Sequence, residues 1–313
     1  MLGCFRRAFG AASGQRASTE TNFFSRRVLH AKRRASGTLC VMTSVDSDVQ
    51  ANIDGYAKRT RRYDATHPDI FNSHEQARLA AAVGRAVDAI TSGGSNALDF
   101  GCGTGNLTRH MRDLGLTVTC ADVSPHFLQI VAERYEAPTI ELAGGSTDAV
   151  ADGAFDLIGV YSVLHHLPDY VASVGRLVSK LKPGGVLFID HECNHTYWSP
   201  DRELAQFRQE MRAGQMQRFW CPDHKRWQRR LSPSHYRARY RRFRNINEEG
   251  DVHVYAHDHV DWETVIQVAV EASCELIERT DYLLFRAGGY DEAVWRKWNS
   301  RASDMGGVIL RRT

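Results

Sequence analysis

The residues best suited to chemistry in this 313-residue chain fall in three groups. The first is the run Gly101-Cys102-Gly103-Thr104-Gly105, set between the short strand pattern Ala97-Leu98-Asp99-Phe100 and a helical pattern, with Asp122 about twenty positions on. Glycines let a ligand approach the backbone closely, and the following helix start offers unpaired N–H groups. An acid at the end of the next strand accepts hydrogen bonds from ribose hydroxyls. Together these features point to a bound nucleotide. The second group is His165-His166 and the third is His191-Glu192 with His195, each behind an apolar run. An imidazole beyond the carboxyl end of a strand is placed to take a proton from a bound substrate. The structural alternative is that these histidines only cap and pack the helix that follows.

His191-Glu192-Cys193-Asn194-His195 also matches the HExxH zinc pattern. That pattern needs a helix, so that both histidines share a face. Here it directly follows an apolar strand, which points the side chains apart, and no metal site is expected. Asp251, His253, His257 and His259 make a second histidine and acid group, where Asp258 also reads as the cap of the next helix.

The elements that must position these groups alternate between helix and strand, as in a parallel sheet covered by helices. Ser73 with Gln76 reads as a capping box for a helix carrying Leu79, Val83, Ala86, Val87 and Ile90. Strands are expected at 97–100, 118–121, 139–142, 155–161, 186–189, near 276–284 and at 307–310. Ser124 and Pro125 suit the start of a helix, and Pro183-Gly184-Gly185 the stop of one. Between about 195 and 257 the pattern gives way to a polar, Arg- and Trp-rich insertion.

On these residues the chain resembles the class I S-adenosylmethionine-dependent methyltransferases. Leu98-Asp99-Phe100-Gly101-Cys102-Gly103-Thr104-Gly105 is similar to their first motif. Phe155-Asp156-Leu157, Ser162-Val163-Leu164-His165-His166-Leu167-Pro168-Asp169 and Leu181-Lys182-Pro183-Gly184-Gly185 are similar to the segments around their fourth strand and after it. The likeness covers about residues 50–192 and is strongest to the branch of small-molecule methyltransferases. It implies a doubly wound, Rossmann-like α/β fold with a seven-stranded sheet, an antiparallel final hairpin and a basic lid insertion. It also implies S-adenosylmethionine as cofactor, with Asp99 toward the methionine ammonium and Asp122 on the ribose. Gly101, Cys102, Gly103, Thr104, Gly105, Asn106, Val123 and Tyr161 complete the implied contacts. One position departs from the family pattern: Ala143-Gly144-Gly145-Ser146-Thr147-Asp148 lacks the acid expected at the adenine, leaving Ser146, a backbone carbonyl or a shifted Asp148. Methyl transfer needs alignment and exclusion of water, and a base when the acceptor is a hydroxyl. His165 and His166 are the first candidates for that base, then His191.

Composition is that of a globular chain, with 42% hydrophobic and 25% charged residues. No apolar run approaches the ~18 residues of a membrane-spanning helix. Seven scattered cysteines without a CxxC pair suggest a reducing compartment. The net charge of +3 is uneven: residues 1–40 carry eight Lys/Arg against Glu20, and residues 201–244 carry 13 against four acids. Residues 1–45, with Leu2, Phe5 and Phe9 on one helical face, read as a mitochondrial transit peptide or a basic disordered arm before a methyltransferase domain at 46–313. The basic insertion is read as a lid over the acceptor, which would be a small molecule, anionic or lipid-like, methylated at oxygen. Two other readings stay open: a catalytically silent, cofactor-binding assembly factor of an organelle, and an RNA methyltransferase guided by the basic segment. Against RNA, Ser162-Val163-Leu164-His165 stands where an amino-methylating Asn/Asp-Pro-Pro-aromatic motif would be.

Overall fold

Seven strands pair in the order β3-β2-β1-β4-β5-β7-β6. The computed structural model describes residues 63–220 and 260–313, with side chains to 213 in the first stretch. All of these belong to one unit, Met42–Thr313. The basic arm and residues 221–259, with Asp251, His253, His257, Asp258 and His259, lie outside the described residues.

β1 (Asn96–Phe100), β2 (Thr117–Asp122), β3 (Thr139–Glu141), β4 (Phe155–Tyr161) and β5 (Leu181–Cys193) run parallel. β7 (Met305–Arg312) lies antiparallel between β5 and β6 (Cys274–Tyr282). Alternation along the central strands supplies two cores. Leu98, Phe100, Ile158, Val160, Leu187 and Ile189 meet α5 (Tyr170–Lys180) and α8 (Trp262–Glu271) on one face. Ala97, Leu157, Val186 and Phe188 meet α2 (Ser73–Asp88), α3 (Asn106–Asp113) and α4 (Pro125–Tyr135) on the other. Every residue of β4 is buried, as expected at the centre of a sheet covered on both faces. A satellite core joins Leu204, Phe207 and Met211 of α7 (Arg202–Trp220) to Trp298 of α9 (Glu292–Trp298).

Three local expectations are corrected. The cap of α2 is Asn72, whose Oδ1 accepts from His74 N and Glu75 N, and Gln76 instead reaches Ile70 O and Asn106. Pro183-Gly184-Gly185 lies inside β5, because α5 already stops at Lys180. The register irregularity between Phe155 and Leu157 absorbs this turn, and the Gly184 carbonyl accepts from Thr91 N. Asp261 caps α8, accepting from Thr264 N. Two short helices unsigned by the sequence also appear, α1 (Tyr63–Thr66) and α6 (His195–Trp198).

Candidate active site

The carboxyl ends of β1, β2 and β4 open into a cavity of about 140 Å³. Its base is the turn from β1 into α3, where Gly101, Gly103 and Gly105 have φ of 75°, 50° and 86°. A Cβ at Gly101 would overlap the Val163 side chain and one at Gly105 the Tyr135 ring, so both positions require glycine for space as well as conformation. Gly103 has open space where a Cβ would stand. This is a backbone surface a ligand can approach.

Asp122 ends β2 beneath this turn. Its Oδ2 accepts from Gly103 N at 2.9 Å and its Oδ1 from Ser124 N at 2.8 Å. Burial pushes its carboxyl up to about 6, while the backbone donors at Ser124 and Gly103 pull it back. Each oxygen keeps a lone pair for a ribose hydroxyl. Asn106 opens α3 with its Oδ1 engaged by Gln76, but its buried Nδ2 has no hydrogen-bond partner. An orphaned donor on a cavity wall beside a helix N-terminus fits an anionic or carbonyl group of a ligand.

Gly101, Cys102, Gly103, Thr104, Asn106, Asp122, Val123 and Tyr161 line the cavity, whereas Asp99, Gly105 and Ser146 do not. Asp99 turns into the protein: it is 1% exposed, and its Oδ2 accepts from Thr108 N at 2.8 Å and Thr108 Oγ1 at 2.5 Å. Ser146 caps its own loop, accepting from Asp148 N, and Gly145 takes the lining position beside it.

The wall facing the glycine turn takes Ser162, Val163 and Leu167 from the motif after β4. Tyr63, Ile70, Phe71, Phe127 and Leu142, not singled out in the sequence, complete it. Tyr63 stacks on His67 and meets Phe127 edge-on, with ring centroids 3.9 and 5.6 Å away. Ser162 stands at φ 60° just past β4, a sharp turn at the cavity edge.

The three histidines separate. His166 lines the cavity. His165 points the other way, with Nδ1 2.7 Å from Glu192 Oε2, and its ring centroid is 4.1 Å from that of His166. His191 lies behind the wall at φ 63°, within a register irregularity of β5 against β7. It packs on Tyr161 at 4.7 Å, and its Nε2 is 4.0 Å from Glu75 Oε1. Both its ring nitrogens are buried without a hydrogen-bond partner. Burial, aided by the charge of Arg78, pushes its pKa down to about 4, so the ring is neutral near pH 7. His195 of the HExxH match begins α6, and Glu192 is committed to His165, so the pattern does not form on one helix.

Behind the Tyr161 wall sits a buried ionic group. Tyr161 Oη donates to Glu75 at 2.9 Å, and Arg78 donates to Glu75 and to Asp190, both at 2.7 Å. Arg78 also covers the Tyr282 ring at 3.8 Å.

A glycine turn feeding α3, an acid closing β2 and an antiparallel β5-β7-β6 edge together define the fold of the class I S-adenosylmethionine-dependent methyltransferases. A family profile described as a methyltransferase domain matches residues 71–243, more than half the chain, and the chain belongs to that family, whose cofactor is S-adenosylmethionine. The chain is 30% identical over 151 residues to a ubiquinone biosynthesis O-methyltransferase of Xanthomonas campestris pv. campestris, and 31% identical over 153 residues to that of Xanthomonas axonopodis pv. citri. Each match covers 45% of this chain and 60% of the relative, so the chain spans less than two thirds of those proteins. Magnesium protoporphyrin IX methyltransferase from Synechocystis PCC 6803, solved with bound SAH, shares the fold at TM-score 0.50 and 12% identity, over 85% of this chain and 100% of that one.

Proposed function

We propose that this protein transfers the methyl group of S-adenosylmethionine to a hydroxyl of a small-molecule acceptor, with His166 as the proton acceptor. One observation carries the reading: of the three histidines put forward as the base, His166 alone shares a cavity with the glycine turn and Asp122. When bound, S-adenosylmethionine supplies a methyl group on a positively charged sulfur. Asp122 would hold the ribose, Asn106 Nδ2 an acceptor group of the methionine end, and Val123 with Leu142 the adenine. The acceptor oxygen forms a bond to the methyl carbon as the carbon–sulfur bond breaks, and its proton passes to His166. Tyr63, Phe71, Phe127 and Tyr161 exclude water and offer flat apolar surface, which suits an aromatic acceptor. The names of the Xanthomonas relatives support transfer to oxygen on such a ring.

In this reading the excess of Arg and Lys among aromatics in residues 201–244 favours an acceptor with an anionic or lipid-like tail. Residues 1–45 direct the protein to mitochondria. Incubating the protein with methyl-labelled S-adenosylmethionine and extract of the source cell tests the reading, with Gly103→Arg and His166→Ala as controls. Label is expected in a small-molecule fraction, lost in Gly103→Arg and reduced about a hundredfold in His166→Ala. Label in RNA or protein, or none at all, refutes it.

A further inference from the structure

Tyr161 ends β4 on the cavity wall, yet its hydroxyl is engaged by a buried carboxylate. The Oη donates at 2.9 Å to Oε1 of Glu75, which sits in the first turn of α2 and is 2% exposed. Arg78 grips Glu75 in turn, donating from Nε to Oε2 at 2.9 Å and from Nη2 to Oε1 at 2.7 Å. The same Nη2 donates to Asp190 Oδ2 at 2.7 Å, and Asp190 stands opposite Tyr161 in the β4–β5 register. The bonds therefore run from β4 to α2 to β5 and close on β4 again. A two-pronged guanidinium–carboxylate bond fixes direction as well as distance, so Glu75 does not swivel with the phenol. Burial and the charge of Glu75 hold the Tyr161 hydroxyl well above its ordinary range, so it stays the donor. The His191 ring packs on the Tyr161 ring, 4.7 Å away between centroids and tilted by 42°. It is held there at a cost: φ is 63°, and neither buried ring nitrogen has a hydrogen-bond partner among the described residues. A ring kept under such strain contributes through its shape.

We propose that Glu75 and His191 are positioning residues that hold Tyr161 as the acceptor-recognising wall of the cavity, with its ring presented and its hydroxyl withheld. This rests on the reading that the cavity admits the acceptor beside the cofactor. Ile70, Phe71 and Val163 line the same cavity, so the part of the acceptor that meets this wall is apolar. A tyrosine free to turn would offer the acceptor hydroxyl a hydrogen bond that leads it away from the methyl group. The tie to Glu75 removes that choice.

Exchange of the Tyr161 hydroxyl proton tests the tie without any acceptor. It is followed by NMR in tyrosine-labelled protein with S-adenosylhomocysteine bound, and Tyr161→Phe identifies the signals. In the parent protein this proton is expected to be resolved and to exchange slowly. The neutral oxygen of Glu75→Gln accepts more weakly and loses the two-pronged hold of Arg78, so exchange is expected about tenfold faster. A smaller acceleration is expected in His191→Gly, where the backbone is relaxed but the backing ring is gone. Amide exchange along β4 in the same samples separates this local release from loss of the fold. Equal Tyr161 exchange in the parent and both variants overturns the proposal.

Titrating the small-molecule fraction that takes up label supplies the functional arm. Tyr161→Phe and Glu75→Gln are expected to need about fivefold more of that fraction for half-maximal rate, with the maximal rate and the KM for S-adenosylmethionine within about twofold. A lower maximal rate at unchanged half-saturation would place Tyr161 in the chemistry itself and overturn the positioning role. No label from the parent protein refutes the proposed function, while the exchange measurement still decides whether Glu75 and His191 hold Tyr161.

Discussion

The Thr104 hydroxyl donates a 2.6 Å hydrogen bond to Asp64 Oδ1, tying α1 to the glycine turn. Arg134 closes the same latch by donating to the Thr104 carbonyl at 2.9 Å and to Asp64 Oδ2 at 3.3 Å. Tyr63, the neighbour of Asp64, is thereby held over the cavity against Phe127. A segment far from the turn in sequence therefore forms one side of the cavity.

Asp64→Ala releases this latch at a partly exposed position. The expected outcome is a loss of about 1 kcal/mol in S-adenosylmethionine binding, a fivefold rise in Kd, carried mainly by faster dissociation. Global stability should change little, since the bond joins surface elements. Calorimetric titration with stopped-flow dissociation checks it; unchanged affinity and off-rate would show that α1 does not gate the site.

Asn106→Ala removes the orphaned Nδ2 from the cavity wall. A donor unpaired in the free protein contributes nothing to folding through that atom, but it contributes to binding once a ligand acceptor meets it. Cofactor affinity is expected to fall about tenfold while the thermal midpoint moves by no more than a few degrees. A large fall in midpoint with intact affinity would assign Asn106 to the fold alone.

Asp99 gives a prediction on pH. Burial pushes its carboxyl up to about 7 despite the two hydrogen bonds from Thr108. The folded state therefore holds a proton that the unfolded chain has released, and stability contributed by this group declines as pH rises from about 4 to about 7. Asp99→Asn keeps one oxygen to accept from Thr108 N and Oγ1 without a charge to bury. Urea unfolding is expected to show the variant gaining on the parent by on the order of 2 kcal/mol between pH 5 and pH 8. Parallel stability curves for the two proteins would contradict this.

Arg78→Met addresses the ionic group behind Tyr161. Removing the guanidinium leaves Glu75 and Asp190 as buried carboxylates without their cation. The expected cost is about 3–5 kcal/mol of folding stability, with a weaker loss when Asp190→Asn is added to reduce the stranded charge. Denaturant midpoints of the single and double variants measure it. An equal midpoint in the double and single variants would mean that the loss comes from the missing stem, not from stranded charge.

Much of the framework was legible because its causes are local. The glycines, Asp122 and the apolar alternation of β1, β2 and β4 each follow from a backbone conformation or a period of two, which neighbouring residues announce. His165-His166 after β4 and His191-Glu192 at the end of β5 were visible as residues, and the chemistry of their side chains suggested a base. Their division of labour was not. His166 faces the cavity, His165 faces Glu192, and His191 is rotated behind Tyr161 by the irregularity in β5.

Those assignments depend on contacts between residues distant in sequence. Glu192 meets His165 because β4 and β5 are adjacent parallel strands whose carboxyl ends come level, with Tyr161 opposite Asp190. Asn72 displaces Ser73 as a cap since its amide also bridges to Phe285 O. Asp99 is drawn to Thr108 and Ser146 to its own loop by donors close at hand. Sequence by itself determined the nucleotide-binding framework and the pool of reactive side chains, since both rest on residue type and short-range spacing. Only the tertiary structure decided which histidine reaches the cavity and which faces a carboxylate, because direction in space is set by strand register, a bulge and burial, none of which a single segment encodes.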